Sequence, residues 1–291
     1  MSLAPFLLSP ALNERVWGGN GLGLGVGEAW DLSVHPHGEA TVRTGPHAGQ
    51  TFAELVAADP SAFGGEVDLL AKRLDCARNL SVQVHPPTGD PKTEAWVVLD
   101  AKPGAGVYLG FTGEVDRDEV ARRAVDGTVD ELLQFVELQV GDAIFVPAGT
   151  VHAIGGGLLL FELQQSSDTT YRLYDWGREG RELHLDDGLA VTDLGAAAPQ
   201  DPLEELADGA VRLVACEHFV IDRIHLDAGA SITVDPGGRW AGVFAVSGSA
   251  CLDDLTVSEG DTAVVPAASG PVQILAERAF DGLRYGPPPQ D

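Results

Sequence analysis

Gln83, His85, Glu94 and His152 are metal-binding residue types at spacings that can bring them together. Gln83 and His85 stand at i and i+2 in LSVQVHP, so on a strand both side chains face one way. Their neighbours Val82 and Val84 face the other way, into apolar packing. Glu94 lies nine residues beyond His85 at the head of EAWVVLD, where a hairpin would bring the two together. His152 follows the turn Pro147-Ala148-Gly149 of a later strand. Two imidazoles, a carboxylate and an amide oxygen suit zinc or another divalent first-row metal. A coordination position left open to substrate or water would make the site catalytic. Singly, each residue has a plainer role. A lone His85 is more often a hydrogen-bonded interior histidine, Glu94 a surface charge at a strand end, and His152 a turn cap. The set H-P-x7-E with G-T-V-H after G-D-x4-P is what packing alone does not explain.

A second run, ELQQSSDTTYRLYDW over 162–176, holds Glu162, Asp168, Arg172 and Asp175. Glu162, Asp168 and Arg172 occupy even positions, so an unbroken strand puts them on one face. The plainer reading is a solvated face with an Arg–carboxylate pair. Arginine is also the natural reader of a phosphate or a developing oxyanion. Lys92, two residues before Glu94, points the same way in an extended segment and would be a cation beside the metal. Lys72 is either another such cation or a snorkelling strand lysine. The chain has only Lys72, Lys92 and Lys102. Two of three lysines near one site is what an anionic substrate requires. His35 and His37 could chelate as H-x-H, but Pro36 and Gly38 favour a loop, and they are left out of the site. His184 and His218 have no evident partners, and Asp186-Asp187 and Asp253-Asp254 read as turns.

Rigid elements must hold these residues. From residue 67 onward the runs VDLLAKRLD, LSVQVHP, EAWVVLD and GVYLGF are broken by Pro, Gly and Asp, a strand pattern that FVELQV, AIFVPAG, LLLFELQQ and TTYRLYDW continue. Between them lies a helical interlude. Val120, Ala121, Ala124 and Val125 recur at helical spacing within 116–125, with Gly127 as C-cap. Thr128-x-x-Glu131 then caps a second short helix through Leu133, and Thr51-x-x-Glu54 opens another that ends near Pro60. Many short strands with close turn signals point to a mainly β fold with a few short helices, not to a parallel α/β sheet. Gly141-Asp142-x4-Pro147-Ala148 recurs as Gly260-Asp261-x4-Pro266-Ala267, 119 residues later. The second copy has Pro271 where His152 would recur. Two jelly-roll units are therefore expected, the second without metal ligands. The predicted domains are 1–192, with the helical interlude near 112–135, and 209–291. The Ala-, Pro- and acid-rich stretch 193–208 reads as a linker, with or without a short helix.

The chain has 291 residues, 44% hydrophobic and 21% charged, which excludes wholesale disorder. Its 18 basic and 44 acidic residues give a net charge of −26. Nucleic acid and anionic membrane are thus not expected as partners. A phosphorylated metabolite is repelled too, unless cations are gathered in one pocket. The glycines of 13–38 complete no G-x-G-x-x-G and precede no Walker lysine, so they read as turns between short strands. Cys76, Cys216 and Cys251 are odd in number and far apart, which suits free thiols in a reducing cytosol. Arg15 is the first basic residue and no apolar run reaches ~18 residues, so neither a secretory leader nor a membrane span is expected. A cytoplasmic location follows as the expectation.

The segments SVQVHP, KTEAW, VPAGTVHAI and QQSSDTTYRLYDW resemble the type I, zinc-dependent mannose-6-phosphate isomerases in their short bacterial form. WGG at 17–19, GEAWDLS at 27–33 and LLAKRLDCARNLSVQVHP fit the same pattern. The resemblance covers about residues 13–192, and the last hundred residues match loosely. It implies two cupin-like jelly-roll β-barrel units, the first catalytic and the second metal-free. It implies interconversion of mannose 6-phosphate and fructose 6-phosphate through an enediolate, with one Zn2+ per chain on Gln83, His85, Glu94 and His152. The active-site arginine falls on Arg172, the proposed proton-transfer lysine on Lys92, and acidic residues on Glu162 and Asp168. Lys72 and Ser81 match residues associated with the phosphate. Glu162 is the rival base, and Lys92 can act as one if burial and the metal's charge lower its pKa. Two departures stand out. The long helical insertion of larger members is missing, and Pro91 replaces a histidine found before the lysine in many members. A cupin dioxygenase is the rival enzyme reading, since two His and a carboxylate also bind iron(II). A sugar-phosphate-binding module without turnover is the non-enzyme reading. A monomer or weak homodimer with a small sugar-phosphate substrate is expected.

Overall fold

Short runs with alternating side-chain environments build antiparallel sheets throughout, in agreement with a mainly β fold. The computed structural model describes residues 3–23 and 25–289. Two compact units are interleaved along the chain, where the composition of 193–208 suggests a single cut. One takes Met1–Leu12, Trp30–Ala71 and Asp201–Asp291, the other Asn13–Ala29 and Lys72–Gln200.

The second of these units carries all the residues singled out for the site. With the strands that run across its limits, its elements are β1 (Ala11–Asn13), β2 (Glu28–Leu32), β3 (Leu69–Cys76), β4 (Val82–Val84), β5 (Glu94–Ala101), β6 (Gly106–Phe111), β7 (Leu133–Glu137), β8 (Ala143–Val146), β9 (His152–Ile154), β10 (Leu158–Gln165) and β11 (Tyr171–Tyr174). They form a six-stranded sheet, β8-β5-β10-β3-β2-β1, and a five-stranded sheet, β11-β4-β9-β6-β7. Strand alternation sorts the faces. Leu74, Cys76, Trp96, Val98, Ile144 and Leu160 of the first sheet pack with Val107, Leu109 and Ile154 of the second, an apolar interior between them. Burying each such large side chain contributes roughly 1.5–3 kcal/mol. On the outer side of the five-stranded sheet, Val82, Val84, Ala153 and Leu173 meet Val120, Ala124 and Leu189.

The helices are α1 (Phe52–Ala58), α2 (Arg117–Asp126) and α3 (Leu185–Val191). The capping box at Thr51 and Glu54 is formed as predicted. In α2 the Asp116 carboxylate accepts from the Asp118 and Glu119 N–H groups, and Gly127 closes the helix at φ 76°. The helix expected from Thr128 is only a single 3-10 turn, Val129–Leu132, and the Thr128 side chain makes no cap bond. Asp186 and Asp187 form the first turn of α3, not a free-standing turn. Gly188 lets that helix lie close to the sheet, since a Cβ there would stand 2.6 Å from Leu173 Cδ2. Within 193–208 no helix forms, and Glu204–Glu205 instead pairs with Val211–Ala215.

In the other unit an eight-stranded sheet places Phe6–Ser9 between Thr262–Val265 and Thr41–Val42. A four-stranded sheet completes the unit, and Ile224, Val234, Val243, Leu252, Val265 and Phe280 lie in its core. The sequence repeat is a repeat of structure. Gly141 donates to Val98 O and Asp142 O accepts from Val98; Gly260 and Asp261 bond Ala245 in the same two ways. Among the described residues no helix is long and apolar enough to cross a membrane.

Candidate metal centre and active site

Gln83 is paired on one side with His152 of β9 and on the other with Arg172 of β11. Directly opposed residues share a face, so these three side chains form one row. Across the interior, Glu94 of β5 opposes Gln164 of β10, and Trp96 opposes Glu162. β4 and β5 belong to different sheets, so Glu94 reaches His85 through the loop 85–93 and not by a hairpin. The Lys92 N–H closes that loop on Pro86 O at 3.3 Å. Gly149, at φ 90°, donates to His85 O at 2.9 Å and ties the turn before His152 to the first histidine.

The result is a buried cluster. His85, Glu94 and His152 are each 1% exposed, and their ligand atoms lie within 4.8 Å of one another. His85 Nδ1–H donates to Thr169 O at 2.8 Å and His152 Nδ1–H to Thr150 O at 2.9 Å. Both Nε2 lone pairs therefore face the Glu94 carboxylate, at 3.6 Å from Oε2 and 3.2 Å from Oε1. Glu94 Oε1 is buried without a hydrogen-bond donor. Acceptors facing one another in a dry site favour a cation among them; the Lys92 ammonium, 3.2 Å from His85 Nε2, meets that need on one side only, and metal-binding imidazoles commonly donate their other ring N–H to a backbone carbonyl, as both do here. The donor set fits a divalent first-row metal. Gln83 Nε2 lies 3.2 Å from His152 Nε2 and its Oε1 accepts from Ser81 Oγ at 2.9 Å. A 180° turn of the amide would present Oε1 to the cluster and let Nε2 donate to Ser81.

The charges match this geometry. Burial pushes the His152 pKa down to about 4, and burial followed by Lys92 lowers that of His85. Burial works to raise Glu94, but Lys92 and then His85 hold it well below the usual carboxylate range. Lys92 Nζ donates to Glu94 Oε2 at 2.6 Å and lies 4.0 Å from Glu162 Oε1. Burial pushes Lys92 down, but Glu162 and then Glu94 outweigh it, so its pKa is raised. Without a metal, then, Lys92 holds its proton more tightly than a free lysine.

Glu162 is fixed by Lys72 Nζ at 3.2 Å from Oε1 and by Trp96 Nε1 at 3.1 Å from Oε2. Lys72 is buried and also donates to Gln164 Oε1 at 2.6 Å. Asp168 is not brought to this face. β10 ends at Gln165 and β11 begins at Tyr171, so the alternation breaks between Glu162 and Arg172, and Asp168 is exposed. Arg172 keeps its place opposite Gln83, its Nη1 donating to Glu182 O at 3.2 Å. His184 does have partners: its Nδ1 accepts from the Arg172 N–H at 3.2 Å, and its ring meets Tyr171 edge-on. Arg178 and Arg181, neither singled out by the sequence pattern, are both bonded to buried Asp175. Their spacing of three and six beyond Asp175 is the available signal.

Sheets, interior and buried His–Glu–His group are together consistent with a cupin-like β fold holding a group that could bind a metal ion. No model of a protein family matches the chain. Over 263 residues it is 35% identical to mannose-6-phosphate isomerase ManA of Bacillus subtilis (strain 168), spanning 80% of this chain and 82% of that protein. The crystal structure of mannose 6-phosphate isomerase from Bacillus subtilis matches with a TM-score of 0.88 at 28% identity, over 98% of this chain and all of that one. A mannose 6-phosphate isomerase solved with zinc and yttrium shares the fold, at TM-score 0.76 and 16% identity over 97% of this chain and 99% of that one. The chain belongs to the mannose-6-phosphate isomerase family.

Proposed function

We propose that the chain interconverts mannose 6-phosphate and fructose 6-phosphate with one zinc ion held by Gln83, His85, Glu94 and His152. The observation that carries this is the buried Glu94 carboxylate with two imidazole lone pairs turned on it and a lysine against it. A divalent metal bound there supplies a Lewis acid that stabilises the charge of an enediolate. Zinc is favoured because a structural relative was solved with it. The residues around it do the rest. In this reading Lys92 Nζ carries the proton between C1 and C2, an assignment supported by its contact with Glu94. Lys92 would release and regain that proton more readily if the Glu94 charge that helps hold it were offset. Glu162 has both oxygens engaged, by Lys72 and Trp96, and is suited to fixing Lys92 rather than to taking the proton itself. Arg172 faces the same space and offsets negative charge on the substrate.

Conversion of mannose 6-phosphate followed by NMR in D2O tests this reading. The expected result is fructose 6-phosphate that carries solvent deuterium at C1. No conversion by metal-loaded, folded protein refutes the activity. Deuterium at C1 in only part of the product is also consistent, since a buried base can return the proton it removed; an undiminished rate in folded, metal-loaded Lys92→Ala refutes proton transfer by Lys92.

A further inference from the structure

The internal repeat carries more than a turn. In the unit of His85, Glu94 and His152, the Gly141-Asp142 turn bonds Val98, which pairs with Leu160, and two residues along Trp96 pairs with Glu162. In the other unit the Gly260-Asp261 turn bonds Ala245, which pairs with Gly282, and two residues along Val243 pairs with Arg284. Arg284 thus occupies the place of Glu162. Each has an ion partner on the next strand, Lys72 for Glu162 and Asp222 for Arg284. The pair recurs with its charges exchanged. We propose that the cavity beside Arg284 is a binding site for an uncharged monosaccharide, built by that unit alone.

The cavity has a volume of about 250 Å³, and Asp208, Arg212, Asp235, Trp240 and Arg284 line it. Buried Asp222 pairs with both arginines. Arg284 Nε and Nη2 donate to Asp222 Oδ2 at 3.1 and 2.8 Å, and its Nη1 donates to Asp208 Oδ2 at 2.9 Å. Arg212 Nε donates to Asp222 Oδ1 and Nη2 to Oδ2 at 3.5 Å; among the described residues its Nη1 has no acceptor. Asp235 is exposed, and its Oδ1 accepts from the Gly237 N–H at 2.9 Å. Trp240 is 1% exposed, and its Nε1–H is buried without an acceptor.

The hydrogen-bonding groups set the ligand class. Arg212 and Arg284 are balanced by Asp208 and Asp222, and Asp235 adds a further negative charge. A phosphate or carboxylate gains no net attraction there, in a chain of net charge −26. A cation meets the two guanidiniums. An apolar ligand leaves the Arg212 and Trp240 donors unpaired in a drier site. A hydroxyl group, by contrast, both donates and accepts. Neighbouring sugar hydroxyls can accept from Arg212 Nη1 and donate to Asp235, and a third oxygen supplies the acceptor that Trp240 Nε1 lacks.

The test follows the indole N–H signals of the five tryptophans by NMR in isotope-labelled, zinc-loaded protein, titrated with D-mannose and with D-fructose. Trp240→Phe assigns the Trp240 signal. That signal should move saturably with sugar. Arg212→Gln and Asp235→Asn should each weaken the affinity about tenfold or more, as expected for a lost hydrogen bond to a charged group. Both should leave kcat and KM for mannose 6-phosphate unchanged. Asp235 is exposed, so its variant serves if Arg212→Gln does not fold. A Trp240 signal unmoved by both sugars, or unchanged affinity in folded Asp235→Asn, overturns the site. Movement confined to Trp96, which lies against Glu162, overturns it too, because the sugar is then in the isomerase centre. A Trp240 response to inorganic phosphate and to neither sugar overturns the ligand class. The titration needs no turnover, so it decides the site whatever the isomerase assay returns.

Discussion

Lys72 pairs with Glu162 in a nearly dry setting, their side chains 7% and 4% exposed at 3.2 Å. Lys72→Met keeps most of the volume and removes the charge. Breaking a buried pair from one side typically costs about 3–5 kcal/mol. Here Trp96 still donates to Glu162 at 3.1 Å and Lys92 stays at 4.0 Å, so a cost near the lower end, about 3 kcal/mol, is expected. Glu162→Gln alone should also destabilise, because Lys72 then faces an amide. The double variant should lose less than the sum of the two by at least about 1.5 kcal/mol, since neither charge is left stranded. Urea unfolding of the four chelator-treated proteins completes the cycle. Additivity within about 0.5 kcal/mol would refute the view that Glu162 is fixed chiefly by Lys72.

Lys92→Ala should lower kcat by about 10²–10⁴-fold with zinc content intact, and a near-native rate would remove Lys92 from the proton transfer. In metal-stripped protein, His152 titrates at about 4 folded and near 6.5 unfolded. The unfolded chain thus takes up the proton first, and stability falls as pH drops from about 6.5 towards 4, by up to about 3 kcal/mol. Urea unfolding at pH 7 and 4.5 checks this against His152→Gln; an equal acid loss in both proteins contradicts it. Gly188→Val puts a side chain into Leu173 Cδ2 and should cost about 1–3 kcal/mol despite the better helix former, so unchanged thermal stability would contradict the close packing.

The grouping of His85, Glu94 and His152 was legible because its parts are local. The i, i+2 spacing of Gln83 and His85 survives in any strand, and the Pro-Ala-Gly turn before His152 needs no distant partner. Asp168 was misplaced because even spacing holds only while a strand continues, and the chain leaves the sheet at Gln165. The pairing of Phe6–Ser9 with Thr262–Val265 joins segments more than 250 residues apart, and no local pattern encodes it. α3 lacked a signature because His184 makes no side-chain cap and Gly188, needed for its contact with Leu173, weakens the helical pattern. The direction of the lysine's pKa shift also depended on a carboxylate distant in sequence, Glu162, beside the neighbouring Glu94. Burial alone lowers Lys92, and only the convergence of Glu162 and Glu94 reverses the sign.

The most direct measurement is a coupled assay for fructose 6-phosphate from mannose 6-phosphate with zinc-loaded protein, run beside chelator-treated protein and zinc-treated His152→Ala. Product from the zinc-loaded protein alone is the predicted result. Equal rates in all three, or none from fully metallated and folded wild type, would contradict a metal-dependent isomerase centred on Glu94 and the two histidines.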